Sequence, residues 1–515
     1  MPGRFARRWR LMLGAMTAMA AVALATAPAA ASQEAVVKVS EDPFTNVTSP
    51  PDIQRTQHRT EVEPDTFAFG STMVTAFQTA RVFNGGSADI GFATTHDGGN
   101  SFTHGFLPSA TVNSTPANPT YVAVSDPSVA FDFRDHVWIV SFLGLRGFGA
   151  GAVDVLASRS TDDGATFGAP VAVAATNTFF DKNWSVCDNT PTSPHFGNCY
   201  TEFDNANLAD LEQMSTSSDS GLTWGPNLTT ADQLPFGLVG AHGLGGQPVV
   251  QPDGTVVVPF EGIRIRVNGV IVGSSDIRSF TSHNGGASWD ASVEISFRTT
   301  HANSGGLRTS ALPSAELNRD GEVFVVWQDR RFEPGGTAND IVMSTSADGT
   351  TWSAVSRIPI DPVGSNVDHF IPGLGVDSTS AGDHTLLALT YYFYPVSTCT
   401  PATCQLEVGF TSSLDGGQSW SQPEVLAGPM NLSWLADTTQ GRMVGDYIST
   451  SFLAGQQRVL DAFAIGFPPA PNGTFDEPMF SGIENVRSGD HSTNPDPVVF
   501  VPDPDDTTVD VPTAF

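Results

Sequence analysis

Short apolar runs alternate with polar, glycine- and proline-rich breaks along most of the chain. Cys199 to Asp204, Leu211 to Thr216, Gly254 to Phe260, Glu322 to Trp327, Asp340 to Ser344 and Thr385 to Tyr391 are rich in β-branched and aromatic residues. Each is bounded by Gly, Pro, Asn or Asp, the composition and punctuation of strands. No segment beyond residue 31 sustains an apolar period of 3.6, so the pattern predicts strands joined by turns and no long helices.

A second pattern is laid over the first. The form Ser/Thr-x-Asp-x-Gly-x-Ser/Thr-aromatic recurs at Thr95 to Phe102, Ser160 to Phe167, Ser217 to Trp224, Ser282 to Trp289 and Ser413 to Trp420, with a copy one residue shorter at Ser346 to Trp352. Its acidic position falls at Asp97, Asp162, Asp219, Asn284, Asp348 and Asp415, at separations of 65, 57, 65, 64 and 67. Six copies at near-constant spacing mark a repeat architecture. The chemistry of the motif is structural: a short carboxylate or amide accepts the turn's own N–H groups, the glycine takes positive φ, and the aromatic opens the next strand.

Four short strands per repeat, with a corner before the last, describe a blade of a β-propeller. Dividing the 484 residues beyond position 31 by a repeat near 65 gives about seven blades, with six as the alternative. The seventh is expected from Asp446 to Phe452, Arg458 to Ala464 and Pro478 to Ser481. Its missing outer strand would come from Ala35 to Val39, which would close the ring and remove exposed sheet edges.

Composition narrows the function classes. The chain has 515 residues, 40% of them apolar, with 50 Gly and 36 Pro, which suits a large turn-rich core. A formal charge of −30 excludes nucleic acid or anionic lipid as the main partner. Lysine occurs only at Lys38 and Lys182, and by itself this assigns no function.

Residues 1–31 carry four arginines, an alanine-dominated apolar run and a small-residue end, the form of a cleaved signal peptide. A retained membrane anchor is the alternative. Cleavage would leave a soluble, secreted chain of charge −34, expected to be monomeric and not inserted in a membrane. Domains are therefore expected at 1–31 (signal), 32–489 (propeller) and 490–515 (an acidic, Pro-rich tail). In an oxidising compartment the four cysteines pair most simply as Cys187–Cys199 and Cys399–Cys404, each clipping a loop. Their spacing argues against zinc, and no run matches a linear calcium loop, so no metal or cofactor is expected.

The six corners resemble the Asp boxes, or bacterial neuraminidase repeats, of the sialidase superfamily, over residues from about 40 to 485. That resemblance implies boxes on the face opposite the working face. The working face would then be built from lead-ins to the inner strands, among them Glu63-Pro-Asp65, Asp126-Pro-Ser128, Asp181-Lys-Asn-Trp184, His242 to Pro248, Arg308 to Pro313, Asp368-His369 and Arg442 to Tyr447. It also implies arginines holding a sugar carboxylate, a tyrosine nucleophile paired with a glutamate, and an aspartate as acid/base. By role and face, Arg308, Arg442 and Arg330 are candidate ligands, with Asp181 and Trp184 beside them. Tyr447 is the candidate nucleophile, Glu261 its partner and Asp126 the acid/base. No Arg-Ile-Pro sequence opens the first blade, where the family places its first arginine. The expected function is a secreted sialidase-like glycoside hydrolase acting on sialylated or other anionic glycans; a non-catalytic propeller binding glycans or proteins is the alternative. A uronic-acid lyase would need a base such as His242 beside an arginine.

Overall fold

The computed structural model describes residues 36–44, 57–147, 151–268, 270–273 and 275–487. The expected signal and acidic tail lie outside them. The described residues are all-β, with no α-helix and five short 3-10 turns among them. No helix in them is long and apolar enough to cross a membrane.

Antiparallel strands follow one another along the chain in successive groups, each called a sheet in chain order. Pairing of Ser87 with Val124 joins the first two into one eight-stranded sheet. Two two-stranded ribbons, Arg264–Val267 with Val270–Gly273 and Ala436–Thr438 with Gly441–Met443, stand apart. The first sheet is Glu61–Phe69, Thr72–Arg81, Ser87–Thr95 and Thr103–Phe106; the second is Ala123–Asp132, Val137–Leu145, Val153–Ser160 and Val171–Ala174. The third has Phe180–Cys187, Cys199–Asn205 and Leu211–Ser217. In the fourth, an interrupted first strand (Gly243–Leu244 and Val249–Val250) precedes Val256–Gly262, Asp276–Ser282 and Val293–Phe297. The fifth runs from Ser314–Leu317 to Ser356–Arg357, and the sixth from Asp368–Val376 to Glu424–Asn431. The first strands of successive sheets pack in cyclic order, with that of the seventh, Ser449–Phe452, returning to Glu61–Phe69.

The seventh sheet is completed from the other end of the chain. Val37 pairs with Ser481 and Lys38 with Phe480, and the Val39 N–H donates to the Met479 carbonyl at 2.9 Å. Ser40 links Met479 N–H, at 2.9 Å, to the Glu61 carboxyl of the first sheet, at 3.0 Å. Val39 itself is fully buried. Deleting residues 32–41 should therefore lower the melting temperature by roughly 5 °C or more and promote association through the bared edge. An unchanged melting temperature and unchanged monodispersity would show that this strand contributes nothing.

The repeated corners form the same hydrogen-bond knot. In the first, Asp97 Oδ1 accepts Ser101 N–H at 2.9 Å and Oδ2 accepts the Ser101 hydroxyl at 2.7 Å, while Thr95 Oγ1 accepts Gly99 N–H at 2.9 Å. Asp162, Asp219 and Asp415 repeat this arrangement, and Asn284 keeps it with its amide. In the shorter corner Asp348 instead collects the N–H groups of Thr350 and Thr351, at 2.8 and 2.6 Å. The Ser101 hydroxyl and N–H bonds hold Asp97 down at about 2. The corners also abut the preceding sheet: Gly286, at φ +80°, sits where a Cβ would come 2.2 Å from Thr216 Oγ1.

Aromatic residues fill the spaces between sheets. Trp138 packs with Val74, Phe92 and Phe167; Tyr200 and Met214 with Phe260, Phe280 and Trp289; Phe324 and Met343 with Leu374, Tyr391 and Trp420. Two disulfides form as expected, Cys187–Cys199 across paired strands and Cys399–Cys404 within a loop.

Candidate functional site

A backbone irregularity builds the site. In the first strands of the first, second, third and sixth sheets the register slips once, between Val62 and Asp65, Ser125 and Ser128, Asp181 and Trp184, and Phe370 and Gly373. Inside the slips stand Glu63, Asp126, Lys182 and Ile371, at φ values of 53°, 47°, 49° and 51°. Three of the four precede a proline, where helical conformations are disfavoured, so left-handed φ there is strained. Bulges re-aim side chains, and strain of this kind gathers at functional positions. Here they bring three charged groups from three sheets to one place.

Lys182 Nζ stands between the carboxylates. It lies 3.3 Å from Asp126 Oδ2 and 3.8 Å from Glu63 Oε1, and bonds Asp446 Oδ2 at short range. That holds Glu63 and Asp126 no further apart than the separations that paired glycosidase carboxylates span, roughly 5–9.5 Å. Arg308 grips Asp446 with both Nε, at 2.8 Å, and Nη2. Gln78 Nε2 donates to Glu63 Oε2 and to Ser125 Oγ at 3.1 Å, and Ser125 donates to Asp126 Oδ1 at 2.5 Å. Glu63 Oε1 and Asp126 Oδ2 are buried and have no hydrogen-bond donor apart from this ammonium. A cleft lies over them, lined also by Asp181, Arg308 and Arg81.

The charges divide by environment. Burial, reinforced by the Asp126 carboxylate, pushes Glu63 up to about 8, so it holds its proton at neutral pH. Burial alone would raise Asp446 as well, but Arg308 and Lys182 outweigh it and hold that carboxyl well below its ordinary range. Burial also lifts Asp181 to about 7 and lowers Arg81 to about 10.

The sequence candidates meet this site unevenly. Asp126, Asp181, Arg308 and Tyr447 are at it, and the Trp184 ring packs edge-on to Tyr447 at 5.1 Å. Tyr447 turns its hydroxyl to the Pro127 carbonyl at 3.2 Å, and burial pushes its pKa well up, away from an activated phenolate. Glu261 is not beside it: in the fourth sheet its Oε1 meets Arg298 Nη2 at 2.7 Å, and Glu63 and Asp126 occupy the place expected for it. Nor do the arginines converge. Arg442 donates to the Leu435 carbonyl at 2.9 Å, although its own carbonyl accepts Arg308 N–H. Arg330 lies beside His301 at the fourth-to-fifth connection. Arg81 is the arginine that shares the cleft with Arg308, its guanidinium donating to the carbonyls of Val82 and Gly86 at 2.7 and 2.6 Å. His242 donates Nδ1–H to the Ala209 carbonyl at 2.7 Å, and no arginine pairs with it among the described residues. Gln78 and Arg81 are the residues that sequence reasoning passed over, while Glu63 and Lys182 stood in the expected lead-ins without an assigned role. The available signals were the repeated acid-Pro dipeptide at strand lead-ins and the rarity of lysine.

Among the described residues, one side-chain group has spacing suited to a metal: Asp340, Asp361 and His369 bring their ligand atoms within 4.8 Å of one another. Arg357 already bonds Asp340, at 2.6 Å, and Asp361, so the space between the carboxylates is filled by a guanidinium.

Buried acids away from the site set the pH dependence of the fold. Burial raises Glu61, Asp89 and Glu316 to about 8 and Asp65 to about 7. Between their ordinary values of 4.5 or 3.8 and these raised ones, the folded chain binds more protons than the unfolded chain. Stability is then fully present at the acid end of that window and is lost as pH rises towards 8. His369, lowered by burial to about 4, opposes this only below its ordinary value of 6.5. The melting temperature should be higher at pH 5.5 than at pH 8.5 by roughly 5 °C. Calorimetry at fixed ionic strength checks it, and a flat or rising profile would contradict it.

No family model matches the chain, and no curated protein matches it. Among solved structures, the Hadza microbial sialidase Hz136 is similar at 13% identity, with 83% of this chain and 66% of that chain covered and a TM-score of 0.41. The NanB sialidase from Streptococcus pneumoniae is similar at 13% identity over 88% and 71%, with a TM-score of 0.43. A PL25 polysaccharide lyase, an ulvan lyase, is similar at 9% identity over 84% and 96%, with a TM-score of 0.47. At these identities and scores nothing about fold, activity or residue roles is carried across to this chain.

Proposed function

We propose that this chain is a secreted seven-bladed propeller that hydrolyses glycosidic bonds at the cleft over Glu63, Asp126 and Lys182. The cyclic packing of seven first strands supports the ring, and the signal-like residues 1–31 with two disulfides support export. The observation that carries the chemistry is the pairing of a carboxylic acid held protonated with a second carboxylate across one lysine. Glycoside hydrolysis needs one carboxyl to protonate the leaving oxygen and another to act on the opposite side of the oxocarbenium-like centre, and such roles follow from environments that push two acids apart. Glu63 Oε2 accepts from Gln78, leaving Oε1 to carry the proton into the cleft. Asp126 is the second carboxylate, and Lys182 holds both in place.

The substrate reading is broader than a sialoside. Arg308 is committed to Asp446 and Arg442 to Leu435, so an arginine set for a sugar carboxylate is not assembled. A second reading, glycan binding without catalysis, is favoured by one observation: Asp446, Arg308 and Lys182 satisfy one another. A panel of fluorogenic neutral, amino, uronic and sialic glycosides, run on the mature protein beside Glu63→Gln, separates the two. Turnover of any sugar that disappears in the variant supports the hydrolase. Binding of glycans with no turnover supports the second reading.

A further inference from the structure

The cleft over Glu63, Asp126 and Lys182 has a second half that the acid–base chemistry does not use. Leu143, Leu145, Val153, Phe179 and Phe180 line it together with the charged groups. These five form one continuous surface. Leu143 and Leu145 stand two residues apart in one strand and so share a face. Leu145 lies opposite Val153, and Val153 bridges to Phe179 in the lead-in to the third sheet. Leu143, Val153 and Phe180 are buried, whereas Leu145 and Phe179 are only partly so. The apolar layer between the second and third sheets therefore runs out into the cleft and ends there in two partly exposed side chains.

The first sheet contributes a different surface. Its turn at Asn84, Gly85 and Gly86 brings an amide and bare backbone to the cleft, and Arg81 holds that turn through the Val82 and Gly86 carbonyls. Sugar hydroxyls can exchange hydrogen bonds with such groups. Set against Leu145 and Phe179 they would lose water and gain no partner, which is unfavourable, whereas an apolar group there gains by leaving water. Binding clefts commonly combine an apolar lining with a few polar groups that fix orientation. Resting on the hydrolase reading, which lays the substrate over Glu63 and Asp126, we infer that the cleft takes a glycoside bearing an apolar group, either an aryl or alkyl aglycone or an acyl group on the sugar, which packs on Leu145 and Phe179. These two residues set specificity and take no part in proton transfer.

The test reads binding without cleavage. S-linked glycosides, which resist hydrolysis, are titrated into the mature chain in a calorimeter, the 4-nitrophenyl against the methyl compound of the same neutral, amino, uronic and sialic sugars. A second arm sets an O-butanoyl methyl S-glycoside against its unacylated parent. In one arm the apolar compound should bind about tenfold or more tightly than its partner, the discrimination that a small hydrophobic contact gives. The first arm would place the apolar group on the aglycone and the second on the ring. Leu145→Asn/Phe179→Ser should bring that ratio close to one, whereas a purely structural role would weaken both compounds alike and leave the ratio standing. If the double variant fails to fold, Leu145→Asn alone should lower the ratio by about threefold or more. Equal binding in both arms, no binding in either, or a ratio that survives the substitutions would overturn the inference. A preference without turnover of O-glycosides would keep the apolar wall and remove the hydrolase; turnover without a preference would do the reverse.

Discussion

Glu63→Gln should abolish turnover of whichever glycoside the wild type cleaves, lowering kcat by about 10²- to 10⁴-fold, the usual contribution of a positioned proton donor. The substitution keeps shape and the bond from Gln78, since an amide oxygen can still accept it. It removes only the proton on the oxygen that faces the cleft. Because a buried acid becomes a neutral amide, the fold should be as stable as wild type or more so at pH 8. Wild-type activity should decline above about pH 8, where Glu63 loses its proton, and that alkaline limb should be missing from the residual activity of the variant. A variant as active as wild type at pH 7 would remove Glu63 from the chemistry.

The second large effect is on stability. Arg308→Met should cost about 3–5 kcal/mol, the loss expected when one member of a buried, hydrogen-bonded ion pair is deleted. Asp446 is buried and accepts two bonds from Arg308; without them only Lys182 remains, and it also pairs with Asp126 and Glu63. Adding Asp446→Asn to Arg308→Met should recover much of the loss, because the uncompensated charge goes with it. Urea denaturation of the four proteins in that cycle measures the coupling directly. A loss below about 1 kcal/mol for the single variant would mean that the pair behaves like a solvent-screened surface bridge.

How far the sequence reaches can be seen at individual residues. The corners at Asp97, Asp162, Asp219, Asn284, Asp348 and Asp415 were legible because each is a local knot: the acceptor and its donors lie within four residues, so spacing alone specifies the geometry. The strands between them were legible for the same local reason, and the return of residues 37–38 to the last sheet followed from counting strands and asking where an unpaired edge would find a partner. Asp126 and Arg308 were legible as types at strand lead-ins, without their partners.

Partners are what the tertiary structure decided. Glu63, Asp126 and Lys182 are separated by more than fifty residues each, and only the cyclic order of the sheets makes them neighbours. The turning of their side chains depends on a register slip at a left-handed residue, which no side-chain periodicity announces. Glu261 and Arg442 have the right chemical types at plausible lead-ins, yet Arg298 and the Leu435 carbonyl claim them. The sequence by itself thus determined the strands, the corners and their number, since those depend on contacts a few residues apart. Which charge meets which was settled by the packing of the sheets against one another, because an electrostatic pair depends on distance in space and on burial.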